Sequence, residues 1–250
     1  MCVCHRLQNC LQSAVAGVPA LEVLLAKCRR VVGHFKHSAL ATDQLMKNQA
    51  DLKMKALKPV QDVATRWNSA YYMLERLYYL KRPLDMYLEA DENTKHLVLS
   101  KQEWDLIKDV VEVLQVVEVA TSQLSGKNYA TMSLTLPLVH GLHEDMEGQV
   151  EGRTSIATLE TQIQAQLVSR FSLKKPNLKS AAVLSSAVDP RYRKLSFLNL
   201  VQREEVKHTL MQEAAKVVAA CNPQQPAEPA AKRSKIEAIC WCCCTLFLFR

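Results

Sequence analysis

The 250-residue sequence is 48% hydrophobic and 23% charged, with a net charge of +7, a balance that excludes a disordered chain and leaves enough apolar residues for a sizeable core. Six glycines and nine prolines are few for this length, which disfavours a fold of many short strands and tight turns and favours long helices. The first sixty residues carry nine Lys/Arg against three acids, whereas residues 61–130 carry eight against eleven, so the first third is the part suited to phosphates or an acidic partner.

In chain order, apolar spacing predicts helices over Cys4–Val18 and Ala20–Phe35, broken near Gly17-Val18-Pro19. A more polar helix follows over Ser38–Lys55, then a loop or short strand over Leu57–Thr65 that contains Pro59. Arg66–Leu80 is helical with a dense apolar face of Trp67, Tyr71, Leu74, Leu77 and Tyr78. Pro83 ends that run and opens a short helix over Leu84–Ala90, because proline fits the first helical turn. Asp91-Glu92-Asn93 reads as a loop.

The strongest local signal begins at Ser100. Ser100 and Glu103 form a Ser-x-x-Glu capping box, in which the two residues satisfy orphaned N–H groups reciprocally. Ile107, Val110, Leu114, Val117 and Leu124 then recur at three- and four-residue steps up to a stop at Gly126. Further helices are expected over Leu134–Met146 and Ser155–Phe171. After the basic linker Lys174–Lys179, more helix is expected over Ala181–Phe197, interrupted by an Asp189-Pro190-Arg191 turn, and over Val201–Ala220. The Pro/Gln/Ala-rich run Asn222–Ala231 reads as a linker.

The nine cysteines are expected as free thiols in a reducing compartment, since the opening residues do not form a secretory signal. The longest apolar stretch, Ile239–Phe249, is too short to span a bilayer. Cys2 and His5 have the spacing of half a zinc site without a second half nearby. Neither metal nor cofactor is expected, and the cysteines at 240 and 242–244 are given no role.

Two segments carry a specific signal. The first is Cys2-Val3-Cys4-His5-Arg6-Leu7-Gln8, similar to a Cys-x-x-His-x-Leu-Gln motif. The second is Asp62-Val63-Ala64-Thr65-Arg66-Trp67-Asn68-Ser69, similar to a Thr-Arg-Trp-Asn-Ser motif. With the segment Cys28–Ser38 between them and the turn Ala187-Val188-Asp189-Pro190-Arg191-Tyr192 further on, they resemble, in the same order, segments of hAT-family transposases and of the zinc finger BED domain-containing proteins descended from them. The resemblance covers about residues 2–210.

It implies a mainly α fragment: residues 1–66 as the trailing part of an RNase H-like domain, 67–220 as its all-helical insertion domain, and 221–250 as linker and tail. Intact relatives cut DNA with three carboxylates that hold two metals. On this alignment two of these acids fall upstream of Cys2, and no Ser-Glu-Arg segment bearing the third follows Val201. The resemblance therefore implies no enzyme activity, and it implies neither the BED finger nor the dimerisation region in this sequence. Cys2, His5, Arg66 and Trp67 are the residues it places beside DNA or in a structural role. It also implies a nuclear protein that associates with DNA through the basic first third and regulates transcription, with Lys232-Arg233-Ser234-Lys235 compatible with nuclear import. The alternative is a helical protein-interaction module without DNA binding.

Overall fold

A computed structural model describes residues 3–63, 66–126, 131–148 and 156–221, and these are helical with no strand among them. They divide into two compact units. One comprises residues 1–125 and 142–173, the other 126–141 and 174–250.

The first unit begins with α1 (Val3–Ala16) and α2 (Pro19–His37), bent from each other by 99°. Pro19 stands at the first position of α2, where its missing N–H costs no hydrogen bond. Gly17, at the bend, has room for little else: a Cβ there would come within 3.3 Å of Gln162. The helix α3 (Ala39–Asp51) is capped by Ser38, whose Oγ accepts from the Ala41 N–H at 3.1 Å. It ends on Lys53 in the left-handed region (φ 54°), with Lys53 N–H donating to Ala50 O and Met54 N–H to Gln49 O, both at 2.9 Å. This paired pattern is a Schellman stop that uses lysine where glycine is usual.

α4 (Trp67–Tyr79), α5 (Lys81–Leu88) and a 3-10 helix (Glu92–Leu97) follow. α5 starts a turn before the sequence-based expectation, because Pro83 is accepted inside its first turn. The Asp91 loop continues directly into the 3-10 turn. The expected capping box is present at the head of α6 (Lys101–Leu124): Glu103 N–H donates to Ser100 Oγ at 3.2 Å and Ser100 N–H to Glu103 Oε2 at 2.7 Å. The core of this unit forms where α6 packs on α4 and α1, α8 (Ala157–Phe171) on α1, and α3 on α5 and α2. Leu7, Leu11, Leu45, Met73, Leu77 and Ile107 are fully buried there. At roughly 2 kcal/mol for each such side chain, this burial is the main stabilising term of the unit.

The second unit gathers Leu136, Val183, Ala187, Leu195, Leu198 and Val206 into one cluster. The first half of α7 (Thr135–Gly148), α9 (Ala181–Val188) and α10 (Leu200–Cys221) contribute to it. The helix expected over Ala181–Phe197 stops at Val188. Asp189 there turns extended, and its Oδ1 accepts from the Arg191 N–H at 3.0 Å, starting the turn that Pro190 enforces.

Among the described residues no single helix is long and apolar enough to cross a membrane. Only α1 and α2 taken together pass such a test, and they turn their apolar side into the protein core.

Candidate functional site

The two motif segments meet in the first unit. Arg66, in extended backbone, precedes α4, and its own side chain does not cap that helix. Gln8 does so from α1: the Trp67 N–H donates to its Oε1 at 3.4 Å. This contact accounts for the glutamine at the end of the first motif, since an α-helix leaves its leading N–H groups without internal partners. Ser69, the last residue of the second motif, folds back on the loop before it. Its Oγ accepts from the Val63 N–H at 2.8 Å and donates to Arg66 O at 2.6 Å. The serine thus closes the turn that leaves Arg66 exposed and Trp67 buried, at 6% exposure.

Asp62, just ahead of this turn, is held by α2. Arg29 grips the carboxylate with both arms of its guanidinium, Nη2 to Oδ2 at 2.7 Å and Nε to Oδ1 at 3.1 Å, and Gln61 donates a further hydrogen bond at 3.0 Å. Burial alone would raise the Asp62 pKa. The hydrogen bonds from Arg29 and Gln61, with the Arg29 charge, outweigh it and hold the carboxyl below its usual range. Arg29, Asp62, Arg66 and Trp67 line a groove of about 480 Å³ whose apolar floor includes Leu11 and Leu114. The groove offers one aromatic edge, one exposed guanidinium and one neutralised ion pair.

Of the other residues the sequence singled out, His5 is exposed on α1 and Cys2 lies outside the described residues. Lys232–Lys235 and the cysteines at 240 and 242–244 lie outside them too. Asp189 is engaged by Arg191, Nη2 to Oδ2 at 2.8 Å, and by the Ser133 hydroxyl at 2.6 Å. These two donors, Arg191 first, hold its pKa far below the ordinary carboxylate value. Among the described residues no three His, Cys, Asp or Glu side chains are grouped so as to hold a metal ion.

Sequence reasoning missed the partnership of Arg29 with Asp62, which joins residues 33 apart. It also missed a second cleft, of about 410 Å³, lined by Arg30, His34, His37, Ser38, His96 and Leu97. The spacing of Arg30, His34 and His37 on α2 puts them on one helical face and was a readable signal; the arrival of His96 was not.

Residues 1–113 match the family model described as the ZBED1 RNase-like helical domain. The chain is similar to zinc finger BED domain-containing protein 4 of Homo sapiens, 27% identical over 214 residues that make up 85% of this chain and 18% of the relative. It is also similar to a Zea mays protein named as an AC transposase, 29% identical over 135 residues, 53% of this chain and 16% of that protein. A third relative is a Talaromyces stipitatus protein named as a transcriptional regulator, tpeD, 24% identical over 169 residues, 68% of this chain and 20% of the relative. The chain thus spans about a fifth or less of the length of these relatives. Helical fold, family model and relatives agree with the motifs in likening the chain to hAT-transposase-derived proteins of the zinc finger BED-like kind.

Proposed function

We propose that this chain is a catalytically inactive, DNA-associated part of a nuclear transcription-regulatory protein. In this reading residues 1–66 are the trailing end of an RNase H-like domain and 67–220 its helical insertion. The observation that carries the proposal is the groove beside Trp67. It keeps the exposed arginine and the aromatic ring that suit a nucleic acid, while of its two acids Asp62 is committed to Arg29, and Glu22 is exposed and belongs to no metal-holding cluster among the described residues. A carboxylate gripped in this way has its lone pairs and its charge already engaged, which makes it a poor metal ligand. Asp189 is tied to Arg191 in the same manner. Support for the regulatory side comes from the relative named as a transcriptional regulator.

DNA contact on this reading is made by backbone phosphates, through Arg66 and the basic residues of the first sixty. It is therefore sequence-tolerant and steeply salt-dependent. Fluorescence anisotropy with a labelled duplex tests it. Affinity should fall by roughly tenfold or more between about 50 and 200 mM salt, and Arg66→Ala should weaken binding and lower the salt slope by about one. A second reading, a helical protein-interaction module, is favoured by α10, whose Leu200, Val201, Met211 and Val218 are all exposed. No duplex binding at the lower salt would favour this second reading over the first.

A further inference from the structure

The second cleft lies on the first unit and is separate in its lining residues from the Trp67 groove. It is formed where α2 ends and α3 begins, with the 3-10 helix completing it. Arg30, His34 and His37 come from α2, Ser38 is the cap residue of α3, and His96 comes from the 3-10 helix. No carboxylate is among its lining residues. Arg30, His37 and His96 are exposed at its mouth, whereas His34 sits deeper, its Nε2 3.0 Å from the Tyr87 hydroxyl. Gly33 forms part of the wall, and a Cβ there would meet nothing within 4 Å.

A cleft that gathers one permanent cation, three imidazoles and a serine, and excludes acids, is complementary to an oxyanion. The head of α3 adds to this, because helix N-termini favour negative charge. We infer that this cleft binds a tetrahedral oxyanion of the phosphate class, held by Arg30, His37 and His96.

Charged and titratable groups reach it from several elements. From α2 these are Arg30 and His37; from the 3-10 helix, His96, with Lys95 already paired to Glu92; from the turn before it, Asp91; and from α5, the uncharged Tyr87. Burial first, then the neighbouring His96, lowers the His34 pKa, while Asp91 works the other way. His34, whose Nε2 meets the Tyr87 hydroxyl, acts as a hydrogen-bonding wall.

The test uses the full chain labelled with 15N-histidine and titrated with inorganic sulfate at constant ionic strength. Sulfate is a tetrahedral dianion. The signals of His34, His37 and His96 should move saturably while those of His5, His140, His143 and His208 stay in place. Arg30→Gln should weaken binding, and Gly33→Leu, which projects into open space from a helical position, should block it without harming the fold. Uniform movement of all histidines, no movement, or unchanged sulfate binding in Gly33→Leu overturns the inference. Competition then identifies the source of the anion. Displacement of sulfate by inorganic phosphate and by a duplex oligonucleotide marks a backbone phosphate site; displacement by inorganic phosphate alone marks a site for a small free anion. The inference does not rest on the DNA-binding reading, which the anisotropy titration tests separately.

Discussion

Asp62 keeps 2% of its side chain exposed while Arg29 keeps 39%, so the two halves of this pair are not equivalent. Removing Arg29 strands a buried carboxylate, whereas removing Asp62 leaves a guanidinium that can reach water. Arg29→Ala should therefore destabilise more than Asp62→Ala, by about 1–3 kcal/mol against about 1 kcal/mol in urea unfolding, the range being discounted for the exposure of the arginine. The pH dependence follows from the lowered carboxyl pKa of both Asp62 and Asp189. The folded state holds fewer protons than the unfolded chain as these groups titrate. Their contribution is present above the unfolded value of about 4 and is lost as pH falls through the folded one. Unfolding midpoints of Asp62→Asn should accordingly depend less on pH in the acid range than those of wild type. Cysteine chemistry supplies an independent check. Burial, above all, pushes the thiol of Cys10 up to about 11 and that of Cys28 up to about 12, so both are neutral thiols near neutral pH and inert toward alkylation. Iodoacetamide labelling read by mass spectrometry should modify Cys4, which is half-exposed, well before either of them, and should reach them only on unfolding.

The helices make predictions of their own. Ser100→Ala removes one arm of the capping box at the head of α6 and should cost about 1 kcal/mol. Lys53→Gly should stabilise by roughly 0.5 kcal/mol, since the left-handed φ of 54° penalises a Cβ; a loss of stability would mean that the lysine side chain contributes a contact outweighing its backbone strain. At this scale the sequence was most legible where one helix face repeats, as in α2 and α6, because amphipathic spacing and a cap are both local. The expected ends of α5 and α9 shifted, because proline is tolerated anywhere in a first helical turn and an Asp-Pro pair can end a helix as easily as interrupt it. The 3-10 turn at Glu92 carried no periodicity to read. The motif segments that contain Gln8, Arg66 and Trp67 were legible in the sequence, but their pairings were not. That Gln8 caps α4 and that Arg29 takes Asp62 are consequences of how helices from distant parts of the chain pack.

For the molecule as a whole, the same residues that give the hAT resemblance underlie the proposal of a scaffold that binds without cutting. The second motif turns Trp67 inward and Arg66 outward, and its preceding acid is neutralised by a guanidinium from α2. Trp67→Ala should destabilise by about 3 kcal/mol as a buried aromatic. Trp67→Phe should keep most of that stability, so any change in duplex affinity in this variant reports on contact with DNA and not on folding. On the proposed function, Asp62 and Asp189 serve architecture in place of metal-dependent chemistry. The most direct measurement is incubation of purified protein with supercoiled plasmid in magnesium or manganese, alongside Asp62→Asn and Asp189→Asn. The plasmid should remain supercoiled with all three proteins while wild type still retards it at low salt. Metal-dependent nicking by wild type that either substitution abolishes would contradict the account.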